Sequence, residues 1–180
     1  MFAMKFAALC LAFGSLLAIC SAPVLAQTPD PCASYSWDVS QERALFASQP
    51  TVAVAEGASS ARITADRLYQ MHLTVQGSVA LPVPPSKKVA ADPAYAGVAT
   101  LQLGTPGTYR IAGDSPFWID VIVAGEVLRP KDYQGQRGCS SPHKIVEFEL
   151  PAAVPVILEF SSASAPDIRF SVTAAPIAKP

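Results

Sequence analysis

The chain has 180 residues, a formal net charge of −1 at neutral pH and 51% hydrophobic residues. This length suits one domain with a buried core, and so small a net charge offers no basic field for nucleic acid or anionic lipid. After residue 26 no apolar run approaches the roughly 20 residues that a membrane-spanning helix needs. We therefore expect no nucleic-acid partner and no transmembrane segment.

The N-terminus has the pattern of a cleaved secretory signal peptide. A short basic start ends at Lys5, residues 6–19 are apolar, and small residues lead to Ala26. These features predict a periplasmic or secreted protein. The expected divisions are a signal peptide over 1–26, a single β-sandwich domain over 27–176 and a frayed tail over 177–180.

A lipid anchor is the alternative form of export. Leu17-Ala-Ile-Cys20 resembles a lipoprotein cleavage box, but Ile19 stands where such boxes usually carry a small residue. We therefore expect Cys20 to be an ordinary residue of the signal peptide.

Two cysteines, Cys32 and Cys139, follow the predicted signal. In an oxidising compartment two such cysteines normally pair. No Cys-x-x-Cys motif indicates a redox or metal-binding thiol. We predict a Cys32–Cys139 disulfide with a structural role.

The predicted elements begin with a short helix over 38–48, with Asp38 as its cap and Pro50 after its end. The apolar residues then recur with a period of two, which indicates strands. The predicted strands lie within 69–76, 99–103, 109–111, 117–123, 145–150, 154–160 and 168–172. Pro106-Gly107 predicts a tight turn, so we expect 99–103 and 109–111 to form a hairpin. The fold class is all-β, an antiparallel β-sandwich or jelly roll with one short N-terminal helix.

The alternation also predicts which side chains face the core. Phe148 should point inward, whereas Ile145 and Glu147 should face solvent. Asp120 lies on a mostly apolar strand, and a buried carboxylate needs a partner. We expect it to pair with an arginine such as Arg110 or Arg169 or to lie at the rim of the sheet, and the alternative is a buried acid with a raised pKa.

Three motifs carry a resemblance to known proteins: Trp-Asp-Val-Ser over 37–40, Gln-Gly-x-x-Gly-Cys over 134–139 and His-Lys-Ile-Val-Glu-Phe-Glu-Leu over 143–150. The region 107–172 resembles small jelly-roll modules at the C-termini of secreted bacterial peptidases. Nearly all of the mature chain resembles a group of uncharacterised exported alphaproteobacterial proteins. Some of that group are labelled homogentisate dioxygenase, a longer enzyme that holds a non-haem iron with two histidines and a carboxylate. None of that enzyme's motifs can be placed on this chain.

A small metal-dependent enzyme, of the non-haem iron dioxygenase kind, is the alternative function. Its ligands would be His72, His143 and Glu147. On a regular strand, however, His143 and Glu147 lie roughly 13 Å apart, whereas ligands of one metal lie within about 4–5 Å of one another. We therefore predict no metal, no cofactor and no catalytic residue.

Aromatic and basic residues outside the predicted core suggest a binding surface instead. The candidate residues are Trp118, Tyr133, Tyr95, Arg129, Lys131 and Arg137. Core packing is the competing interpretation of Trp118. The loop 129–138 is the main candidate because it is long, mixed in charge and held by Cys139. The sequence favours a non-catalytic binding or accessory module for an envelope protein or a glycan.

Overall fold

The computed structural model describes residues 30–53, 60–87 and 92–176. The predicted signal peptide, Cys20 and the tail 177–180 lie outside the described residues. Within the described ranges the chain forms one α-helix and twelve β-strands. These are α1 (Ser40–Phe46), β1 (Thr51–Ala53), β2 (Ala61–Thr64), β3 (Arg67–His72), β4 (Thr74–Val75), β5 (Tyr95–Gln102), β6 (Gly107–Gly113), β7 (Trp118–Val123), β8 (Glu126–Val127), β9 (Asp132–Gly135), β10 (Lys144–Leu150), β11 (Val156–Ala163) and β12 (Asp167–Ala174). No helix in this part of the chain is long and apolar enough to cross a membrane.

The strands form two sheets, and their inner faces share one apolar core. Sheet one has the order β1-β3-β12-β6-β10-β9, and sheet two has the order β2-β5-β11-β7-β8, with β4 also pairing with β5. The predicted β-sandwich with a short N-terminal helix is confirmed. Both sheets are mixed rather than purely antiparallel, because β1 runs parallel to β3 and β2 runs parallel to β5.

The hairpin predicted around Pro106-Gly107 is wrong. β5 lies in sheet two and β6 in sheet one, so this connection crosses between the sheets. Gly107 has φ +154°, a conformation that suits glycine. A sandwich corner and a hairpin both join two strands with one apolar face each, so alternation alone does not distinguish them.

The core between the sheets is built around three fully buried phenylalanines, Phe148, Phe160 and Phe170. The rings of Phe160 and Phe170 lie 4.5 Å apart between centroids, and the ring of Tyr69 stacks on Phe170 at 5.6 Å. The prediction that Phe148 points inward is confirmed. Dense aromatic packing of this kind holds β10, β11 and β12 together across the two sheets.

A second apolar cluster covers the outer face of sheet one. Val39 and Phe46, from α1 and the residue before it, pack with Leu68, Ala112 and Ile145. Ile145 is fully buried, so the expectation that it faces solvent is wrong. The alternation of β10 correctly predicts that Ile145 points away from the sandwich core, but α1 packs on that outer face and covers the side chain.

Beside this cluster lies a buried ionic group, the Arg110 cluster, made of Arg110, Glu42, Glu147 and Thr173. Arg110 Nε donates to Glu147 Oε1 at 2.8 Å, and its Nη1 lies 3.6 Å from Glu42 Oε1. Thr173 Oγ1 donates to the same Glu42 oxygen at 2.9 Å. Glu147 is therefore not solvated as predicted, and Arg110 is not the partner of Asp120. The cluster fastens α1 to sheet one through charge.

The N-terminal segment is also held covalently. Cys32 and Cys139 are joined, at a sequence separation of 107, as predicted. Beside the bond, Tyr35 donates its hydroxyl to the carbonyl of Pro142 at 3.0 Å, and Ser36 exchanges hydrogen bonds with the Gln134 side chain. The segment before α1 is therefore fixed to β9 and to the chain that follows it.

Candidate functional site

Tyr133, on β9, has the most exposed aromatic side chain among the residues that the structure describes. Its side chain is 73% exposed, and Val127 on β8 is 40% exposed. β9 is the last strand of sheet one and β8 the last strand of sheet two, so both lie along one edge of the sandwich. Arg129, Lys131 and Arg137 are exposed on the same stretch of chain. We call Val127, Arg129, Lys131, Tyr133 and Arg137 the edge surface.

The backbone of the edge surface is held by regular hydrogen bonds. Leu128 N–H donates to the carbonyl of Val121 at 2.8 Å, and Lys131 N–H donates to that of Glu147 at 2.7 Å. Gln136 N–H donates to the carbonyl of His143 at 2.9 Å just before the disulfide. The region 129–138, predicted as a loop, therefore contains the ordered strand β9 and its connections. Binding through Tyr133 would cost little backbone entropy, because this strand is already fixed.

Two of the predicted contact residues lie elsewhere. Tyr95 is partly buried against the sandwich core, so it is not on the edge surface. Trp118 lies on the outer face of sheet two, because its neighbour Ile119 belongs to the core. Lys144 connects the two regions. It pairs in register with Gly135 of β9, and its Nζ lies 5.6 Å from the Trp118 ring centre.

The three residues of the metal alternative are separated. His72 is exposed on β3 and pairs with Asp167, with Nδ1 3.0 Å from Oδ1. β3 and β10 have two strands between them in sheet one, a separation of roughly 14 Å. Glu147 is held by Arg110. Among the residues that the structure describes, no group of three His, Cys, Asp or Glu side chains is placed to hold a metal ion.

The structure instead brings together two carboxylates that were not expected to meet. Glu159 on β11 lies directly opposite Asp120 on β7 in the strand register, and both are buried. Directly opposed residues of antiparallel strands have side chains on one face, with Cβ atoms about 5 Å apart. We call Asp120 and Glu159 the carboxylate pair. The predicted partnership of Asp120 with an arginine is wrong, since Arg169 binds Asp114 at 3.2 Å.

Asp120 is well supplied with hydrogen-bond donors, whereas Glu159 is not. Asp120 Oδ2 accepts from Ser86 N–H at 3.0 Å, and Oδ1 accepts from the Ser86 hydroxyl and from Trp118 Nε1 at 3.0 Å. Glu159 Oε2 accepts a long bond of 3.4 Å from Val83 N–H, and its buried Oε1 has no partner among the residues that the structure describes. Burial raises the pKa of the Glu159 carboxyl above its ordinary value, and the charge of Asp120 adds to the rise.

The carboxylate pair lies beneath a proline-rich segment. Leu81–Lys87, which we call the strap, crosses this face and supplies the two N–H donors from Val83 and Ser86. The strap also reaches Trp118, because the indole Nε1 lies 2.7 Å from the Ser86 hydroxyl oxygen and Lys87 Nζ lies 4.9 Å from the ring centre. Glu159 is fully buried and Asp120 is nearly so.

Sequence reasoning singled out Asp120 and Trp118 but missed Glu159 and Lys144. A signal for Glu159 was present, because it is the one charged residue in the otherwise apolar run 156–160. A charge inside an apolar run indicates a buried polar group that requires a partner. Lys144 gives no such signal, since its surroundings come from β7 in the other sheet.

No protein-family model matches the chain, and no curated protein matches it. The resemblance to exported alphaproteobacterial proteins and to peptidase jelly-roll modules therefore stays a prediction.

Lys144 provides a pH-dependent test of the geometry around Trp118. Burial lowers the pKa of its ammonium group to about 8, and nearby Lys87 adds to the decrease. Between about pH 8 and 10 the unfolded chain therefore binds a proton that the folded protein has released, and the free energy of unfolding should rise with pH. One proton limits the slope to about 1.4 kcal/mol per pH unit. Urea unfolding of the wild type should show the rise, and Lys144→Met should abolish it.

Lys131→Met is the matched control, because it removes the same charge from an exposed site. It should leave the alkaline rise in place. The titration should stop near pH 10. Burial raises the pKa of Tyr35 in the folded protein to about 12, so above pH 10 the unfolded chain loses this proton first and the free energy of unfolding falls with pH. A wild-type free energy that is flat between pH 8 and 10 would contradict the buried placement of Lys144.

Proposed function

We propose that the protein is an exported, non-catalytic β-sandwich that binds a protein or a glycan of the cell envelope. The observation that carries the proposal is Tyr133, which is 73% exposed on an ordered strand at the edge of the sandwich. An exposed tyrosine with few rotatable bonds offers a large contact area at low entropic cost, and tyrosine is enriched at binding hot spots. The expected compartment is the periplasm or the exterior, with which the Cys32–Cys139 bond is compatible.

The chemistry around Tyr133 suits a partner with both flat apolar and anionic groups. The ring can stack on a sugar or enter a pocket of a protein. Arg129, Lys131 and Arg137 are exposed cations on the same stretch of chain, which also carries the exposed Asp132, and Lys131 lies 3.8 Å from Glu149. Cations at the rim of an interface orient the partner more than they add affinity.

The proposal is tested with the purified mature protein on an array of envelope glycans and on immobilised envelope proteins. We expect binding by the wild type and a loss of at least about tenfold in affinity for Tyr133→Ala, as for a hot-spot residue. Val75→Ala is the matched control, because Val75 is an exposed apolar residue, 46% accessible, on β4 of sheet two. The control should bind as the wild type does.

Tyr133→Phe distinguishes the role of the ring from that of the hydroxyl. A partner that stacks on the ring should tolerate this change within about threefold. The proposal fails if the wild type binds nothing above background, or if Tyr133→Ala and Val75→Ala bind equally well.

A further inference from the structure

An open cavity of about 430 Å³ lies between the segment before α1 and the first turn of that helix. Tyr35, Trp37, Asp38 and Arg43 supply the aromatic and charged groups of its wall. We call it the N-terminal cavity. Its size is that of small-molecule sites in proteins, which combine apolar contact surface with a few convergent polar groups.

The walls of the N-terminal cavity are fixed before any ligand binds. Cys32 holds one side through its disulfide. Arg110 holds the other side, because its Nη1 donates to the carbonyl of Asp38 at 2.6 Å and its guanidinium lies 4.7 Å from the centre of the Trp37 ring. A ligand would therefore lose little affinity to the ordering of this site.

Trp37 is free to make further contacts in this cavity. Its side chain is partly buried, and its indole Nε1 makes no hydrogen bond with any residue that the structure describes, whereas that of Trp118 lies 3.0 Å from Asp120 Oδ1. A fixed aromatic ring with an available N–H donor suits a ligand that is apolar on its face and polar at its rim. A sugar ring has this character, because its C–H groups form an apolar face and its hydroxyl groups project from the edge.

The charged groups around the cavity disfavour a charged ligand. A backbone N–H donated to each carboxylate lowers the pKa of Asp30 and of Asp38, so both are ionised at neutral pH. Arg43 Nη2 donates to Asp30 Oδ2 at 2.9 Å, and Arg110 lies against Trp37. An anion would meet the carboxylates and a cation would meet the guanidinium groups. A neutral ligand with hydroxyl groups meets neither penalty, because a hydroxyl both donates to a carboxylate and accepts from a guanidinium.

We propose that the N-terminal cavity is a saccharide-binding site, in which Trp37 contacts the apolar face of a neutral sugar ring and Asp38 and Arg43 bind its hydroxyl groups. Trp37 supplies contact area, and the two charged side chains select the orientation of the hydroxyl groups. A single sugar ring makes few contacts, so we expect a Kd of about 1 mM.

This site is separate from the edge surface. Gln134, the neighbour of Tyr133 on β9, exchanges hydrogen bonds with Ser36 beside the cavity. Successive side chains of a strand point to opposite faces, so Tyr133 points away from the cavity. The saccharide site therefore goes beyond the function proposed for Tyr133 and does not depend on it.

An NMR titration of the mature protein tests the site without any substitution. The probes are the methyl glycosides of glucose, mannose, galactose and N-acetylglucosamine, each added to about 50 mM. The indole N–H signal of Trp37 should shift and approach saturation with at least one of them. Trp118 is the internal control, and its indole signal should not move. The chain has two tryptophans, so a Trp118→Phe variant assigns both signals.

Two variants test the polar contacts. Asp38→Asn should weaken glycoside binding about tenfold, because its amide oxygen can still accept from Ser40 N–H but the charge that strengthens the bond to a hydroxyl is lost. Arg43→Met should weaken binding in the same direction. Arg129→Met is the matched control, since it removes an exposed arginine outside the cavity, and it should bind as the wild type does. Tyr133→Ala should also bind the glycoside normally, which separates this site from the edge surface.

Inorganic phosphate and tetramethylammonium chloride are the charged counter-probes, and neither should shift the Trp37 signal at the concentration used for the glycosides. The saccharide site is refuted if no glycoside shifts that signal, or if the Trp118 signal moves to the same extent. It is also refuted if Asp38→Asn and Arg43→Met both bind as the wild type does, or if a counter-probe binds more tightly than every glycoside.

Discussion

Replacement of both Cys32 and Cys139 by serine is expected to lower the free energy of unfolding by about 4–5 kcal/mol. The bond closes a loop of 107 residues, and the loss reflects the freedom that the unfolded chain regains. The N-terminal segment should separate first, since Tyr35 and Ser36 are held to the body of the protein beside the bond. Urea unfolding of the double variant against the oxidised wild type measures the effect.

Reduction of the wild type is the control for side effects of serine. It should lower stability by about the same amount as the double substitution. Thiol counting on the denatured, non-reduced protein should find no free thiol in the mature chain. Two free thiols, or a double variant within about 1 kcal/mol of the wild type, would contradict the structural role of the bond.

Arg110→Ala should be comparably severe, with an expected loss of about 3–5 kcal/mol at neutral pH. The change leaves Glu42 and Glu147 in a nearly dry site without their cation, and it also removes the cation that packs over Trp37 at 4.7 Å. Removal of one partner of a buried ionic group exposes the full cost of burying the others. Thermal or urea unfolding at pH 7 gives the value.

Arg169→Ala is the matched control for this variant. Arg169 pairs with Asp114 at 3.2 Å in a more exposed position, so its loss should cost about 1 kcal/mol or less. Equal effects of the two substitutions would contradict the buried placement of the Arg110 cluster.

The sequence predicted the parts of the fold that depend on alternation and on compartment. The longer core strands, the short helix near 40–46, the inward placement of Phe148 and the pairing of Cys32 with Cys139 follow from period and cysteine number. Each of these signals is local, or requires only a count. They are therefore readable without knowledge of which strands are neighbours. The short strands β1, β2, β8 and β9 were not predicted, and the N-cap of the helix is Val39 rather than the predicted Asp38.

The errors concern what lies against each strand. Alternation placed Ile145 and Glu147 on the outer face of sheet one, which is correct, but it could not show that α1 covers that face. Alternation also does not reveal that Asp120 and Glu159 lie opposite one another, because this pairing depends on the register of β7 against β11. The turn at Pro106-Gly107 was assigned to a hairpin because a crossing between sheets has the same local chemistry.

In-cell photo-crosslinking tests the central claim, that the edge surface is where this protein meets its partner. A photoreactive phenylalanine analogue is placed at position 133 or, as the control, at position 75, and whole cells that export the protein are irradiated. We predict a discrete crosslinked product for position 133 and none for position 75. Crosslinking from position 75 alone, or from neither position while the exported protein is folded and oxidised, would contradict the assignment of the edge surface as the binding site.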